Sequence, residues 1–232
     1  MVHPAAAEGF ARAADAYERA RPGYPAAVVD FVAQHAGRDV VELAAGTGKM
    51  TRCLLMAGMR VTAIEPVDEM SAALPSGVDA LAGTAEAIPL PSSCADGVVV
   101  AQAWHWFEAQ RALREIHRVL RELGCLIIVY NRRDMEDPVQ RQIEALVAPH
   151  RGDAPSYRSH PFDGAPLFSP AGNIQTRWTH TADVAQRVAS ISFIAALPDA
   201  ERERVLDQAR ALGEAELPYV CEAEAWMRLT DG

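Results

Sequence analysis

The chain has 232 residues, half of them hydrophobic, with 22 Lys+Arg against 31 Asp+Glu and a net charge of −9. That length suits one domain able to bury roughly 70–75% of its unfolded surface, and the acidic balance argues against a protein that follows a phosphate backbone. Four scattered cysteines, Cys53, Cys94, Cys125 and Cys221, lack paired spacing, which excludes a disulfide framework or a thiolate zinc site and fits reduced structural thiols.

In chain order, the segment from Phe10 to Val32 reads as a helix and turn containing Tyr17-Glu18-Arg19-Ala20-Arg21-Pro22-Gly23-Tyr24-Pro25. An apolar strand, Asp39 to Leu43, then runs into Ala44-Ala45-Gly46-Thr47-Gly48 and a helix from Lys49 to Met56. Two glycines admit a sharp strand-to-helix turn and keep Cβ atoms away from a ligand, while the helix points free amides at the turn. Further strands are expected at Arg60–Ile64, Val78–Ala82, Asp96–Val100 and Cys125–Tyr130. A helix is expected from Glu108 to Leu123, with Leu113, Ile116, Leu120 and Leu123 on one face and Gly124 as its stop. Residues 131–176 weaken into one short helix near Val139–Val147 and a Pro/Gly/Ser-rich stretch, Pro149–Gly172, of the kind that covers a site. A strand near Ile174–His180, helices near Ala182–Ala196 and Asp199–Leu212, and a last strand near Tyr219–Leu229 follow. Strands alternating with helical patterns predict repeated βαβ units around a buried parallel sheet.

The glycine turn cradles a nucleotide, and two common phosphate motifs do not fit it. A dinucleotide fingerprint needs a third glycine where Thr51 stands, and a Walker loop needs glycine at Leu43 and Ser or Thr at Met50. The acidic residue Glu42 followed by a run ending in Gly46-Thr47-Gly48, with Glu65-Pro66, Met70, Ala85-Glu86 and Ala101-Gln102-Ala103-Trp104 after successive strands, closely resembles class I S-adenosylmethionine-dependent methyltransferases. Order and spacing look like their small-molecule type 11 group from about Tyr17 to Tyr130.

That resemblance implies an α/β fold: a single Rossmann-like doubly wound sheet, mostly parallel with an antiparallel C-terminal edge strand, helices on both faces, and an N-terminal helix and lid over the cofactor. Within one domain it implies an N-terminal cap (1–38), a cofactor core (39–130), a lid and specificity insert (131–172) and a C-terminal sheet completion (173–232). It implies S-adenosyl-L-methionine as cofactor, S-adenosyl-L-homocysteine as product, and methyl transfer by in-line displacement to a small molecule. Tyr17 and Arg21 would fold over the cofactor. Glu42, Ala44, Gly46 and Gly48 would form the turn against it, with Ala44 where many relatives have glycine. Glu65, followed by Pro66, would accept both ribose hydroxyls, since a carboxylate at a strand's end is the economical acceptor for two donors. Ala85 and Glu86 would meet the adenine amine, and the Met70 thioether could cover the ring. Ala101, Gln102 and Trp104 would stand where donor and acceptor meet. His105 is the candidate general base, its free pKa suiting deprotonation of a hydroxyl or acid, although methyl transfer needs alignment more than a base.

A non-catalytic S-adenosylmethionine- or S-adenosylhomocysteine-binding protein is the alternative reading. Nucleic-acid methylation is disfavoured, because Ala101-Gln102-Ala103-Trp104 replaces the Asp/Asn-Pro-Pro-Tyr segment of amino-methylating enzymes. Glu8, Arg12 and Asp15 interrupt any N-terminal apolar core, and no run of about 18 apolar residues occurs. The sequence therefore predicts a cytoplasmic protein, monomeric or homodimeric, with no membrane, nucleic-acid or metal partner.

Overall fold

Apolar runs with little alternation belong to strands covered on both faces, and the computed structural model, which describes residues 20–154, 162 and 166–230, shows this for the central strands. Helix α1 (Ala26–Ala36) leads into β1 (Asp39–Leu43), α2 (Lys49–Met56), β2 (Arg60–Ile64), α3 (Asp68–Ser71) and β3 (Asp79–Leu81). Strand β4 (Ala95–Ala101), α4 (Ala109–Val119), β5 (Leu120–Arg133) and α5 (Pro138–Val147) follow. The chain continues through β6 (Phe168–Asp183), α6 (Val184–Ala189), α7 (Ser192–Ala195), α8 (Asp199–Arg210) and β7 (Glu214–Arg228).

These seven strands form one sheet in the order β3-β2-β1-β4-β5-β7-β6. Strands β1 to β5 are mutually parallel, whereas β7 runs antiparallel to both β5 and β6. The expected Rossmann-like sheet is therefore present, and its antiparallel end is a pair in which the last strand lies inside the edge strand β6. Val28 and Val32 of α1 and Met50 and Leu54 of α2 pack on one face against Val40, Val99 and Ile127. Leu113 and Ile116 of α4 pack on the other against Leu43, Ile64, Val98 and Leu126. A satellite core joins α5, α6 and α8 through Ile143, Val184, Val188 and Leu206 to Leu217 and Tyr219. The four cysteines are unpaired.

Several element boundaries differ from those the sequence predicts. Helix α4 stops at Val119 rather than Leu123, because the Ser93 and Cys94 amides donate to the Arg118 and Val119 carbonyls and Leu120 pairs with Ala95 in the sheet. Arg121 then reaches Asp39 and Asp96 at 3.1 and 2.5 Å, and Leu123, not Gly124, makes the left-handed turn with φ 62°. The helix expected over 182–196 is two short ones, broken where the Ser190 hydroxyl turns back to donate to the Arg187 carbonyl at 2.7 Å. Strand β6 is longer than expected because residues 168–183 all follow β7, with one bulge between Pro170 and Gly172.

Candidate active site

In an open sheet of this order, strand connections diverge between β1 and β4, and ligands bind beyond the carboxyl ends of the strands at such a switch point. A cleft opens there, with about 500 Å³ of empty space when its open mouth is included. One wall is the end of β1 and its turn, with Glu42, Ala44, Ala45 and Gly46, continuing into Lys49 and Met50 of α2. Ala101 and Gln102 at the end of β4 face it, Arg21, Pro22 and Tyr24 come from the N-terminal segment, and Asn131, Arg187 and Tyr219 close the far side. Asn131 anchors that segment, its Nδ2 donating to the Gly23 carbonyl at 2.7 Å while its Oδ1 accepts from Trp178 Nε1 at 3.0 Å. Arg21 is tied in from Nε and Nη2 to the hydroxyl and carbonyl of Ser190, at 3.1 and 3.0 Å.

The two glycines have different tasks. A Cβ on Gly46 (φ 59°) would meet nothing within 4 Å, so its bare face opens on the cleft. A Cβ on Gly48 (φ 85°) would lie 2.7 Å from Pro75 Cδ, so Gly48 serves the packing of the chain on itself. Ala44 and Gln102, at the ends of adjacent strands, also have positive φ, 52° and 62°. Left-handed backbone costs a non-glycine residue roughly 1–2 kcal/mol, and such strain clusters at functional sites.

Glu65 is 6% exposed at the end of β2. Its Oε2 accepts the Gly46 amide at 2.8 Å and its Oε1 the Val67 amide at 3.0 Å. A carboxylate offers about four acceptor positions, so two remain for a ligand. Burial pushes its pKa up against the pull of the two amides. Glu42, 2% exposed, accepts the Thr51 hydroxyl at 2.5 Å. Burial, opposed by Thr51 and reinforced by Glu65, raises its pKa from 4.5 to about 8.

Among the other predicted residues, Arg21, Ala101 and Gln102 join Glu42, Ala44 and Gly46 in the cleft wall, and Tyr17 lies outside the described residues. Pro66, Met70 and Ala85 gather on the β2 and β3 side, with Met70 and Ala85 buried. Glu86 uses Oε1 to accept the Glu108 amide at the start of α4, at 2.9 Å. Trp104 is 2% exposed and packs edge-on to Phe107 and Phe162, with centroids 5.8 and 5.0 Å away, so it is a core plug in this structure. His105 stands one residue beyond, its amide and Nδ1 lying 3.2 and 3.1 Å from the Tyr130 hydroxyl. Sequence reasoning missed Lys49, Arg187 and Tyr219. Arg187 had a signal, since it interrupts the apolar spacing of Val184, Val188 and Ile191.

An uncharacterized methyltransferase from Mycobacterium tuberculosis is 39% identical over 210 residues, spanning 88% of this chain and 84% of that protein. The chain belongs to the methyltransferase family. A family model described as a methyltransferase domain matches residues 41–128, the part that builds β1 to β5 and the glycine turn. An uncharacterized methyltransferase-like protein from Schizosaccharomyces pombe is 35% identical over 205 residues, covering 82% of this methyltransferase and 79% of that protein. The fold is shared by a solved structure from Anaeromyxobacter dehalogenans proposed to be a type II methyltransferase, with TM-score 0.63, 23% identity and 90% and 96% of the two chains covered. No helix among the described residues is long and apolar enough to cross a membrane.

Proposed function

We propose that this chain transfers a methyl group from S-adenosylmethionine to a small-molecule acceptor. The observation that supports this most is the junction of Gly46 and Glu65, where the cleft's open glycine face and a buried carboxylate are held together at the sheet's switch point. The residues fit the cofactor. Gly46 leaves space where a side chain would stand, and Gln102 Nε2, a buried donor in the cleft wall, has no hydrogen-bond partner among the described residues.

When bound, S-adenosylmethionine supplies a methyl carbon activated by its sulfonium. The chain holds and aligns. Glu65 would accept the ribose hydroxyls on its free lone pairs, Gln102 and Lys49 would face the amino-acid end, and Glu86 and Met70 would frame the adenine. The strained ends of β1 and β4 fix the cleft before ligand arrives, so little reorganisation remains for the reaction. His105, steadied by the Tyr130 hydroxyl, is the proton acceptor in this reading for an acceptor that has a proton to lose. The net charge of −9 and the modest cleft favour a small molecule over a nucleic acid.

Calorimetric titration with S-adenosylhomocysteine and with NAD tests the reading. It expects binding of the first alone, and methyl release from S-adenosylmethionine once an acceptor is supplied. Binding of NAD in preference to S-adenosylhomocysteine would overturn it, and cofactor binding without turnover on any acceptor would favour a non-catalytic binding protein.

A further inference from the structure

Most guanidiniums of this chain that are drawn into the fold meet carboxylates. Arg133 is paired with Glu144, Arg132 with Glu222, and Arg118 with Glu115 at 2.8 Å. Arg187 is different. It is 6% exposed, lines the cleft, and has no carboxylate partner among the described residues. Its Nε donates to the Tyr219 hydroxyl at 3.1 Å and its Nη1 to the Ser190 hydroxyl at 3.3 Å, while Nη2 makes no hydrogen bond among the described residues. Neutral hydroxyls orient a guanidinium but leave its charge uncompensated, and a buried charge without a counter-charge is strongly disfavoured.

The surroundings hold further cations. Arg21 and Lys49 line the same cleft. Among the described residues the one carboxylate in its wall is Glu42, held mostly neutral until about pH 8. The positive field reaches neighbouring groups: burial and then Arg187 hold the Arg133 guanidinium down, and burial followed by Lys49 and Arg187 holds His180 down. For Tyr219, burial would raise the phenol, yet the combined pull of Arg187 and Arg21 leaves it below its usual range. A chain with net charge −9 thus concentrates three cations around one cavity.

The methyl donor brings a single carboxylate. Lys49, on the helix that leaves the glycine turn, is placed for it by its element. Arg187 enters from the other side, on α6, and is oriented by Tyr219 of β7. We infer that Arg187, with Tyr219, forms a subsite for an oxyanion, a carboxylate or a phosphate, carried by the methyl acceptor. This rests on the methyl-transfer reading above. The acceptor class is therefore a small anionic molecule, and Arg187 is suited to it because a planar guanidinium matches two oxygens of a carboxylate or phosphate at once.

The test is calorimetric titration of the S-adenosylhomocysteine-saturated protein with succinate, citrate and inorganic phosphate, with succinamide as the neutral control. At least one anion is expected to bind saturably while succinamide does not, and the carboxylates and phosphate as separate arms tell which oxyanion is preferred. Arg187→Gln keeps donors but not charge, and should weaken anion binding at least tenfold while changing S-adenosylhomocysteine affinity less than threefold. Arg187→Lys keeps the charge and loses the fork, so an intermediate loss is expected; it also serves if Arg187→Gln fails to fold. Absence of saturable anion binding to the wild type, or undiminished binding to both variants, would overturn the subsite. So would a tenfold loss of S-adenosylhomocysteine affinity on Arg187→Gln, which would assign Arg187 to the donor's own carboxylate. Should the wild type not bind S-adenosylhomocysteine at all, the donor reading fails by itself, and the same anion titrations on the protein alone still decide the subsite.

Discussion

Gly46 and Glu65 are joined by a 2.8 Å hydrogen bond from the glycine amide to Oε2 of the carboxylate, which ties the turn after β1 to the end of β2. Removing that carboxylate affects two things. Glu65→Ala should weaken S-adenosylhomocysteine binding by about 1.5–3 kcal/mol, the usual scale for hydrogen bonds to a charged group. It should also lower stability, because the Gly46 and Val67 amides lose their acceptor. Calorimetry alongside thermal unfolding reads both, and unchanged affinity would remove Glu65 from the ribose site.

Gly46 and Gly48 should fail differently. At Gly48 an added methyl meets Pro75 and Leu74, so Gly48→Ala should cost about 2–5 kcal/mol of stability from left-handed strain plus overpacking. Gly46→Ala meets no protein atom and should cost about 1–2 kcal/mol from strain alone, while weakening cofactor binding more than tenfold. Urea unfolding against cofactor titration separates the two, and matching profiles would contradict the division.

Glu42 makes stability depend on pH. Its carboxyl titrates near 4.5 when unfolded and at about 8 in the fold, so between those values the folded state holds a proton that the unfolded state has lost. Stability from this group is full below about pH 4.5 and declines as pH rises to about 8, by about 1.4 kcal/mol per pH unit while the difference is a whole proton. Glu42→Gln, which keeps an acceptor for Thr51, should flatten that decline and be the more stable form at pH 8. Chemical unfolding at a series of pH values measures it, and parallel curves would refute the raised value.

His105 should matter for rate rather than for cofactor affinity. If it takes a proton from the acceptor, His105→Gln lowers kcat by about 10²–10⁴-fold with S-adenosylhomocysteine affinity nearly intact. Tyr130→Phe frees the ring and should have a smaller effect. Near-normal turnover in a folded His105→Gln enzyme would leave alignment as the whole mechanism.

Much of this arrangement is legible in the sequence. Strands β1, β2 and β4 read clearly because strands buried on both faces are mostly apolar, as Val40-Val41, Ala63-Ile64 and Val98-Val99-Val100 show, and Gly46 and Gly48 mark the turn. The end of α4 is not legible, because Leu120 and Leu123 continue the helical spacing and only pairing with Ala95 takes Leu120 into the sheet. Strand β6 is obscured by Pro170 to Asn173, where the bulge sits, and by polar Gln175, Arg177 and Thr179 on its open side. Arg187 escapes notice because an arginine on a helix normally faces water, and its burial depends on Tyr219 arriving from a strand 32 residues away.

The place of β7 between β5 and β6 orders the events of folding. Residues up to Arg133 can pair strand by strand as they emerge, through local parallel units with short crossovers. The edge strand β6 emerges before β7, the strand it pairs with among the described residues, in register from Phe168↔Arg228 to Asp183↔Glu214. Closure thus waits on a late insertion, and contacts that join distant segments form slowly. The glycine turn can take shape while the wall bearing Tyr219 is still absent, so a nascent chain acquires one side of the cleft before the other. A partly made or clipped chain ending before Glu214 would leave β5 and β6 as open edges, a template for association with other chains.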